Sequence, residues 1–454
     1  MKIKKNNFIF SNFNKPLSNK ISTNELIPSM HINIDLNHNY ITSANSFDYL
    51  LANLFTKEEY DFVKLNHGEI LKNLIDVQIY EYFEEVSGNN KRRFFFLDKE
   101  LNLLEYINKS FIYLTDVKFK SKPKVIIHNN IIHFYDANTL CYVDGSSSPI
   151  ISTTSCHVTS CVNVRNILYF SIANDKHNIY ISPNENLANL YYDTSLYLKT
   201  PINKNFGEPL KIVNIKHKVY IFQKYGIFYI DSSNDYTLIN VCDINCKILK
   251  NTISSNESYI YFATTNGIYI FDGNDVKKIY SNISNIVMLD DSNIGLSYNN
   301  HYYLKTNTKD NGLDVIVKID TDDSPIFYNI GKLSNIYLIK TNSFYNLIAV
   351  TSDYKFLCYG SHNCFNEKYI KFNKLTFNTP SLKHVTSIKV LCSGKFTIKI
   401  SSETSSKTLL IENNTLISNI DIPGYVYDIE INTNDFFKIE CIMFDVNIIE
   451  DIND

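Results

Sequence analysis

The sequence predicts an all-β repeat protein, and specifically a β-propeller of six to eight four-stranded blades, with seven as the best estimate. Three observations support this fold class: a strand–turn–strand unit recurs along most of the chain, aromatic residues are abundant, and polar turn residues separate the strands. The 454 residues include 33 Tyr and 29 Phe but no Trp. Because Tyr and Phe favour pleated, half-buried surfaces, we expect strands throughout most of the chain.

The repeated unit consists of an alternating strand, a polar turn and a second alternating strand. Its copies start at intervals of 36 to 52 residues, and a period of about 40 to 50 residues built from short strands is typical of propeller blades. Each copy matches the middle hairpin of a blade, and blades stack around an axis because one blade cannot bury both of its faces. A stacked pair of β-sandwiches would give similar strands but has less reason to keep the period. The copies span 94–107, 131–143, 167–182, 219–231, 260–273, 302–320, 346–360 and 395–412.

The turns of this chain must be built mainly from Asn, Asp and Ser, because it contains only 13 Gly and 10 Pro. These residues hydrogen-bond to their own backbone, and Asn and Asp also tolerate left-handed conformations. Gly226 and Gly267 stand where tight hairpins are expected, so we predict positive φ angles at both.

Three segments are predicted: an N-terminal segment over residues 1–90, a propeller over 91–390 and a C-terminal β segment over 391–454. Apolar residues between 70 and 83 recur at three- and four-residue intervals, which predicts short helices at about 46–86. These helices could form a small partner-binding module or a cap packed on the β-domain. The stretch 424–449 contains two strand patterns around an Asn-Asp turn, so the C-terminal segment could complete the last blade or form a small sandwich.

The sequence contains no motif that points to an enzyme. Neither a P-loop, a dinucleotide-binding glycine fingerprint, HExxH nor GxSxG occurs. The histidines are dispersed and lack an adjacent base–orienter pair, and the acidic stretches 272–275 and 320–323 are more typical of turns than of calcium loops. We therefore predict no catalytic, cofactor-binding or metal-binding residues, with an enzyme site assembled at the propeller axis as an open alternative. The histidines considered are His128, His133, His157, His217, His301 and His384.

Nine cysteines are scattered along the chain, and their odd number does not suggest a secreted disulfide framework. The close pairs 156/161, 242/246 and 358/364 lack a second pair at a suitable distance, which argues against a zinc site. We expect reduced, buried cysteines that behave as small apolar side chains.

The net charge of −3 argues against a strong general affinity for nucleic acid or acidic membranes. No apolar run is long enough for a membrane helix, and the first 16 residues lack the apolar stretch of a signal peptide. We expect a protein that stays in the cytoplasm or is assembled into a particle there, with other proteins as its partners.

One stretch, over roughly residues 160–310, resembles the β-propeller structural proteins of tailed bacteriophages, found in the tail, nozzle or neck. The resemblance rests on a G-[DE]-P-[IL] turn, matched by Gly207, Glu208 and Pro209, and on a later hairpin ending in G-[IV]-Y-x-[FY]-[DN]-G. It implies a non-enzymatic virion component that acts by shape and by contact with other proteins, including copies of itself in a ring. The hairpin is matched by Gly267, Ile268, Tyr269, Phe271, Asp272 and Gly273.

A second stretch, 344–365, resembles one repeat of the chromatin-condensation-regulator type of propeller. Tyr359 and Gly360 stand where that family has a Trp-Gly pair, and only this one unit shows the pattern. The resemblance implies an alternative function, an intracellular regulatory or partner-binding propeller.

Overall fold

The fold is given by a computed structural model, and the chain divides into two compact units. One unit comprises residues 1–48, 313–331 and 360–454, and the other comprises 49–312 and 332–359. The residues that the structure describes are 2–11, 13, 22, 25–36, 40–44, 46–49, 57–84, 87–128, 131–136, 139–153, 158–165, 167–182, 197–320, 325–340, 345–352, 356–361 and 367–450.

Seven four-stranded antiparallel sheets form the blades of a β-propeller, as the sequence predicts. The predicted class and the best estimate of seven blades are therefore confirmed. We number the blades along the chain, with blade 1 being the first complete sheet.

Before blade 1, the described residues form five strands and one helix. They are β1 (Lys2–Phe10), β2 (Pro28–Ile32), β3 (Ile34–Asp35), β4 (Ile41–Ser43), β5 (Ser46–Tyr49) and α1 (Lys57–Asn73). Blade 1 is β6 (Leu74–Glu84), β7 (Asn89–Asp98), β8 (Asn102–Ile107) and β9 (Ser110–Lys118). Blade 2 is β10 (Lys124–His128), β11 (Ile131–Tyr135), β12 (Thr139–Asp144) and β13 (Ile150–Thr153).

Blades 3 to 5 follow without a break in the pattern. Blade 3 is β14 (Val158–Val164), β15 (Ile167–Ile172), β16 (Asp175–Ser182) and β17 (Leu198–Pro201). Blade 4 is β18 (Pro209–Ile215), β19 (Lys218–Gln223), β20 (Gly226–Asp231) and β21 (Thr237–Asp243). Blade 5 is β22 (Ser254–Ser255), β23 (Ile260–Thr264), β24 (Gly267–Phe271) and β25 (Val276–Ile279), followed by the short helix α2 (Ile283–Ile286).

Blades 6 and 7 complete the set, and the fourth strand of blade 7 is β5. Blade 6 is β26 (Ile294–Tyr298), β27 (His301–Asn307), β28 (Asp314–Ile319) and β29 (Ile326–Tyr328). Blade 7 is β30 (Leu333–Lys340), β31 (Tyr345–Thr351) and β32 (Phe356–Ser361), together with β5.

The first seven sequence repeats are the middle hairpins of the seven blades. The first copy forms β7 and β8, the fourth forms β19 and β20, and the seventh forms β31 and β32. These middle strands are buried because both faces of a blade pack against its neighbours; for example, the rings of Phe222 and Phe262, from blades 4 and 5, lie 5.3 Å apart between centroids. The period therefore follows from the stacking of blades.

The eighth copy, 395–412, is not a blade. It falls on β34 (Lys383–Ser401) and β35 (Ser406–Glu412), in a ten-stranded sheet that also contains β33 (Lys368–Phe372), β36 (Leu416–Gly424), β37 (Asp428–Thr433), β38 (Phe437–Glu450) and β1 to β4. The two strands expected over 424–449 are β37 and β38, and they belong to this ten-stranded sheet rather than to a blade. The described blade strands cover 74–361 and 46–49, whereas the predicted propeller covered 91–390.

The long strand β34 is shared by two parts of this sheet. It pairs with β36 and β38 up to Gly394 and with β35 and β37 from Lys395 onwards. Gly394 has a φ of 91°, and a Cβ atom there would lie 2.3 Å from the backbone oxygen of Phe436. Only glycine fits at this bend. The strands on both sides of the bend contribute side chains to a common core.

The predicted helices at 46–86 are wrong in extent. Within the described part of this range, α1 covers 57–73, but 74–84 form β6 and 46–49 form β5. Both faces of β6 are buried, since Val77 and Tyr80 lie on opposite faces and both are fully buried. Apolar residues therefore do not alternate strictly with polar ones along β6, and their spacing also fits a helical period.

The turns are built as the composition predicts. Both central residues of the β26–β27 turn, Asn299 and Asn300, have positive φ angles, as a type I′ hairpin requires. Gly267 has the expected positive φ, of 157°. Gly226 does not; a Cβ atom there would lie 2.6 Å from the ring of Phe206, so close packing is the reason for glycine at this position.

Candidate functional site

The histidines do not come together in the part of the chain that the structure describes. His133 is buried on β11 and stacks on Tyr142, with ring centroids 5.8 Å apart. His384 lies on β34, where Nδ1 is 2.7 Å from a carboxylate oxygen of Asp421. His217 lies in the β18–β19 turn and His301 begins β27, whereas His157 lies outside the described residues. His128 ends β10.

The described cysteines are all free thiols, and four of them are buried: Cys141, Cys358, Cys392 and Cys441. Burial raises the pKa of the Cys161 thiol to about 12, which keeps it protonated near neutral pH. Two partners of the predicted close pairs, Cys156 and Cys364, lie outside the described residues. Among the described residues, no group of three or more His, Cys, Asp or Glu side chains could hold a metal ion.

The innermost strands of neighbouring blades are joined by polar side chains. These strands are sheet edges, and their backbone groups need partners because a buried, unpaired N–H or C=O is costly. The Lys124 ammonium donates to the backbone oxygens of Val158 and Thr159 in blade 3. The Lys211 ammonium donates to the backbone oxygen of Ile253, at the entry to blade 5. Lysines of blades 2 and 4 thus satisfy carbonyl groups of the next blade.

Two serines likewise accept hydrogen bonds from backbone N–H groups of the next blade along the chain. The Ser160 hydroxyl oxygen accepts from Ile212 N over 2.9 Å, and the Ser254 hydroxyl oxygen accepts from Ser297 N over 2.8 Å. We call Lys124, Ser160, Lys211 and Ser254 the axial network. It ties blades 2 to 6 in sequence, with lysines and serines alternating.

The two lysines of the axial network lie close to other positive charges. Burial, followed by the charge of Lys250, lowers the pKa of Lys211 to about 8. Burial, the charge of Lys250 and, more weakly, that of Lys211 lower the pKa of Lys124 to about 8. Lys250 itself is exposed, in the short 3-10 turn that precedes β22. Lys124, Lys211 and Lys250 are therefore near enough at the inner strands for their positive charges to act on one another.

Other charged residues near these lysines form ion pairs with side chains of opposite charge. Lys122, two residues before Lys124, has an ion pair with Asp76 at 2.7 Å. Glu208 is held by Lys176, also at 2.7 Å, and the pKa of Glu208 is lowered by that hydrogen bond and by the charge of Lys250. Within the described residues, no carboxylate lies within ion-pair distance of Lys124, Lys211 or Lys250.

The outermost strands of blades 1 to 4 expose apolar side chains. These strands, β9, β13, β17 and β21, are the free edges of their sheets. We call their exposed side chains the apolar outer edge; it comprises Ile112 (46% exposed), Tyr113, Ile150 (46%), Ile151, Leu198 (52%) and Ile239 (44%). The outer strand of blade 5, β25, instead carries Lys277 and Lys278, and β29 of blade 6 is buried. Open strand edges with exposed apolar residues are surfaces on which further chains can pair.

A groove of about 420 Å³ lies between β17 and β21 of blades 3 and 4. The hydroxyl of Thr200 donates to the backbone oxygen of Tyr236 over 2.9 Å and so joins the two walls. Ile202, Phe228 and Leu238 supply apolar surface, and Lys199, Asp235 and Asn240 supply polar groups. Because both walls are strand edges, an extended peptide could pair with their backbone here.

Several solved structures show a distant similarity to this chain. The N-terminal part of BBS1, solved in complex with ARL6DN, is 8% identical with a TM-score of 0.41, over 64% of this chain and 94% of that one. An ancestral GH74 enzyme is 10% identical with a TM-score of 0.42, over 77% and 54% of the two chains. The extracellular domain of the putative one-component system BT4673 from B. thetaiotaomicron is 10% identical with a TM-score of 0.43, over 90% and 63%. No family model and no curated protein matches the chain.

The residues of the phage-type resemblance lie in turns and strands of blades 4 and 5. Gly207 follows a 3-10 turn, Pro209 begins β18, and the carboxylate of Asp272 accepts from the N–H groups of Asn274 and Asp275 over 2.8 and 2.9 Å. In the weaker resemblance, Tyr359 and Gly360 lie on β32. The axial network and the apolar outer edge consist of other residues, which the sequence patterns did not single out.

Among the described residues, no helix has the length and apolar character needed to cross a membrane.

Proposed function

We propose that this chain is a non-enzymatic scaffold propeller that acts through protein–protein contacts, as a structural component of a phage-type virion. The observation that supports it is the apolar outer edge. Four consecutive blades expose apolar residues on their outer strands, whereas the outer strand of the next blade carries lysines. This arrangement favours a protein contact zone on one part of the ring. In a ring-shaped assembly, copies of the propeller would meet along this zone.

Aromatic and aliphatic anchors at the centre of an interface carry most of its binding energy. Here β9 of blade 1 exposes Ile112 and Tyr113, and helix α1, which packs near β9, exposes Phe62 and Leu65. The blade 1 end of the apolar outer edge is therefore its broadest apolar region. We expect it to contribute more to association than Leu198 or Ile239, each alone on its strand.

The test is the native mass of the full chain over a wide concentration range, measured by analytical ultracentrifugation. We expect the wild type to associate with rising concentration and the quadruple variant Ile112→Lys, Ile150→Lys, Leu198→Lys, Ile239→Lys to stay monomeric. The control variant Met288→Lys with Tyr259→Lys changes two apolar residues of similar exposure that lie off the outer strands, and it should behave like the wild type.

A second candidate function is a partner-binding propeller of the regulatory type, and the groove between blades 3 and 4 favours it. Its occupant would be an extended segment of another protein, paired with the edge of β17 or β21. A strict monomer at every concentration, for wild type and variants alike, would contradict the self-assembling scaffold and leave this candidate.

A further inference from the structure

Three lysines, from blades 2, 4 and 5, lie at the inner strands, and the carboxylate near Lys250, that of Glu208, is already paired with Lys176. Lys124 begins the inner strand of blade 2, Lys211 lies on that of blade 4, and Lys250 lies in the turn before that of blade 5. Within the described residues, none has a carboxylate within ion-pair distance. The cluster is separate from the apolar outer edge, which lies on the opposite edges of the blades.

Contacts of the Lys124 and Lys211 ammonium groups, together with a backbone contact of Lys250, link the three lysine positions. The Lys211 ammonium contacts the backbone oxygen of Ile253, whose own N–H bonds back to Lys250 O across the 3-10 turn. The Lys124 ammonium contacts Thr159 O, and the next residue, Ser160, is bonded to Ile212 N beside Lys211. The lysines are thus linked blade to blade through single residues.

Solvent reaches this cluster. Lys250 is exposed, and Lys124 and Lys211 are half-buried, so a small ion can approach from the side of Lys250. The backbone oxygens that accept from Lys124 and Lys211 offset part of the cost of placing two ammonium groups at an inner strand, where full burial of an unpaired charge would be very costly.

A purely structural role does not account for the charges. A neutral donor could tie one blade to a carbonyl of the next, as Ser160 and Ser254 show for N–H groups. Lysines add mutual repulsion, which weakens the fold unless an anion offsets it. The contrast with Lys122, which is neutralised by Asp76 at 2.7 Å, shows that the fold supplies a partner to a nearby lysine but not to these three.

We propose that Lys124, Lys211 and Lys250 form a binding site for a multivalent oxyanion of the phosphate class. Ammonium groups are compact point charges that bind phosphate through charge-assisted hydrogen bonds. An ammonium group has three protons to donate; Lys211 directs one to a backbone oxygen and Lys124 directs two, which leaves protons of both groups for a ligand. Lys250 is the exposed lysine of the three, so we expect it to contact the entering oxyanion first.

The test is isothermal titration calorimetry of the full chain with inorganic phosphate and with pyrophosphate, at ionic strength matched with sodium chloride. We expect saturable binding, with pyrophosphate tighter than phosphate. The variant Lys250→Met should weaken pyrophosphate binding roughly tenfold, and Lys277→Met, an exposed lysine on β25, should leave it unchanged. Lys250 makes no side-chain bond to another blade among the described contacts, so this variant should fold.

Each contrary outcome has a definite meaning. If titration with pyrophosphate releases no more heat than titration with sodium chloride, the proposed site is wrong. It is also wrong if Lys250→Met and Lys277→Met weaken pyrophosphate binding equally. Binding of citrate without binding of phosphate would overturn the assignment to the phosphate class. In a thermal denaturation series, 10 mM pyrophosphate should raise the midpoint of the wild type more than that of Lys211→Met, and an equal rise in both would also contradict the proposal.

Discussion

The hydroxyl oxygen of Ser160 accepts a hydrogen bond from the backbone N–H of Ile212, 2.9 Å away, and so joins the inner strands of blades 3 and 4. Both groups are buried. The same relationship recurs between Ser254 and Ser297 N, two blades further on. In this propeller, side chains complete the backbone hydrogen bonding that an inner strand cannot obtain from its own sheet.

Ser160→Ala should destabilise the fold by about 1–3 kcal/mol, because the Ile212 N–H would be left buried without a partner. Urea denaturation measures the change in the free energy of unfolding. The exposed Ser281→Ala should change it by less than about 0.5 kcal/mol. Equal effects of the two substitutions would show that the inner-strand bond contributes nothing.

Arg93 and Glu105 form a buried, two-pronged ion pair in blade 1. Arg93 Nε and Nη2 lie 2.6 and 2.8 Å from the two oxygens of Glu105, and Nη1 donates to the backbone oxygens of Gly145 and Ser147 in blade 2. Arg93→Ala should cost about 3–5 kcal/mol, since it leaves a buried carboxylate unpaired. The double variant Arg93→Met, Glu105→Leu should cost less than this single variant in the same urea series; a larger cost would contradict the explanation.

Stability should depend on pH through His31. Burial lowers the pKa of His31 to about 4, below its value of about 6.5 in an unfolded chain. The unfolded state therefore binds more protons between these two values, so this contribution is complete above pH 6.5 and is lost as the pH falls towards 4, by about 3 kcal/mol in all. Urea denaturation at pH 7.0 and 4.5 should show a smaller loss for His31→Leu than for the wild type. An equal loss would mean that other groups cause the pH dependence.

The β18–β19 turn offers a stabilising substitution. Lys216 and His217 both have positive φ angles, 49° and 63°, which are unfavourable for residues other than Gly, Asn and Asp. His217→Gly should raise the free energy of unfolding by about 0.5–1 kcal/mol. Asn300→Gly, at the matching position of the β26–β27 turn, should gain less because Asn already tolerates this conformation. If His217→Gly lowered the free energy of unfolding, the contacts of the His217 side chain would contribute more to stability than the unfavourable φ angle costs.

The sequence was sufficient to predict the propeller and its blade number because the middle hairpin of each blade alternates regularly and ends in a polar turn. Prediction failed at β6, where residues such as Val77 and Tyr80 are buried on both faces and the pattern loses its period of two. It also failed at 395–412, since the hairpin of β34 and β35 has the same local pattern as a blade but pairs within a different sheet.

The candidate sites could not be predicted from local patterns. Lys124 and Lys211 are 87 residues apart in the chain and meet only because blades 2 to 5 follow one another around the ring. The apolar residues of β9, β13, β17 and β21 look like core residues in the sequence, because exposure at a sheet edge depends on what the fold leaves uncovered.

The central claim, that the apolar outer edge is a contact surface between proteins, is tested most directly by amide hydrogen exchange at several protein concentrations. In a monomer, the outward N–H groups of β9, β13, β17 and β21 exchange freely with water. We predict that protection in these four strands rises with concentration over the range in which the mass rises, whereas protection in β25 stays constant. Unchanged protection in the four strands while the mass increases would place the contact elsewhere and contradict the account.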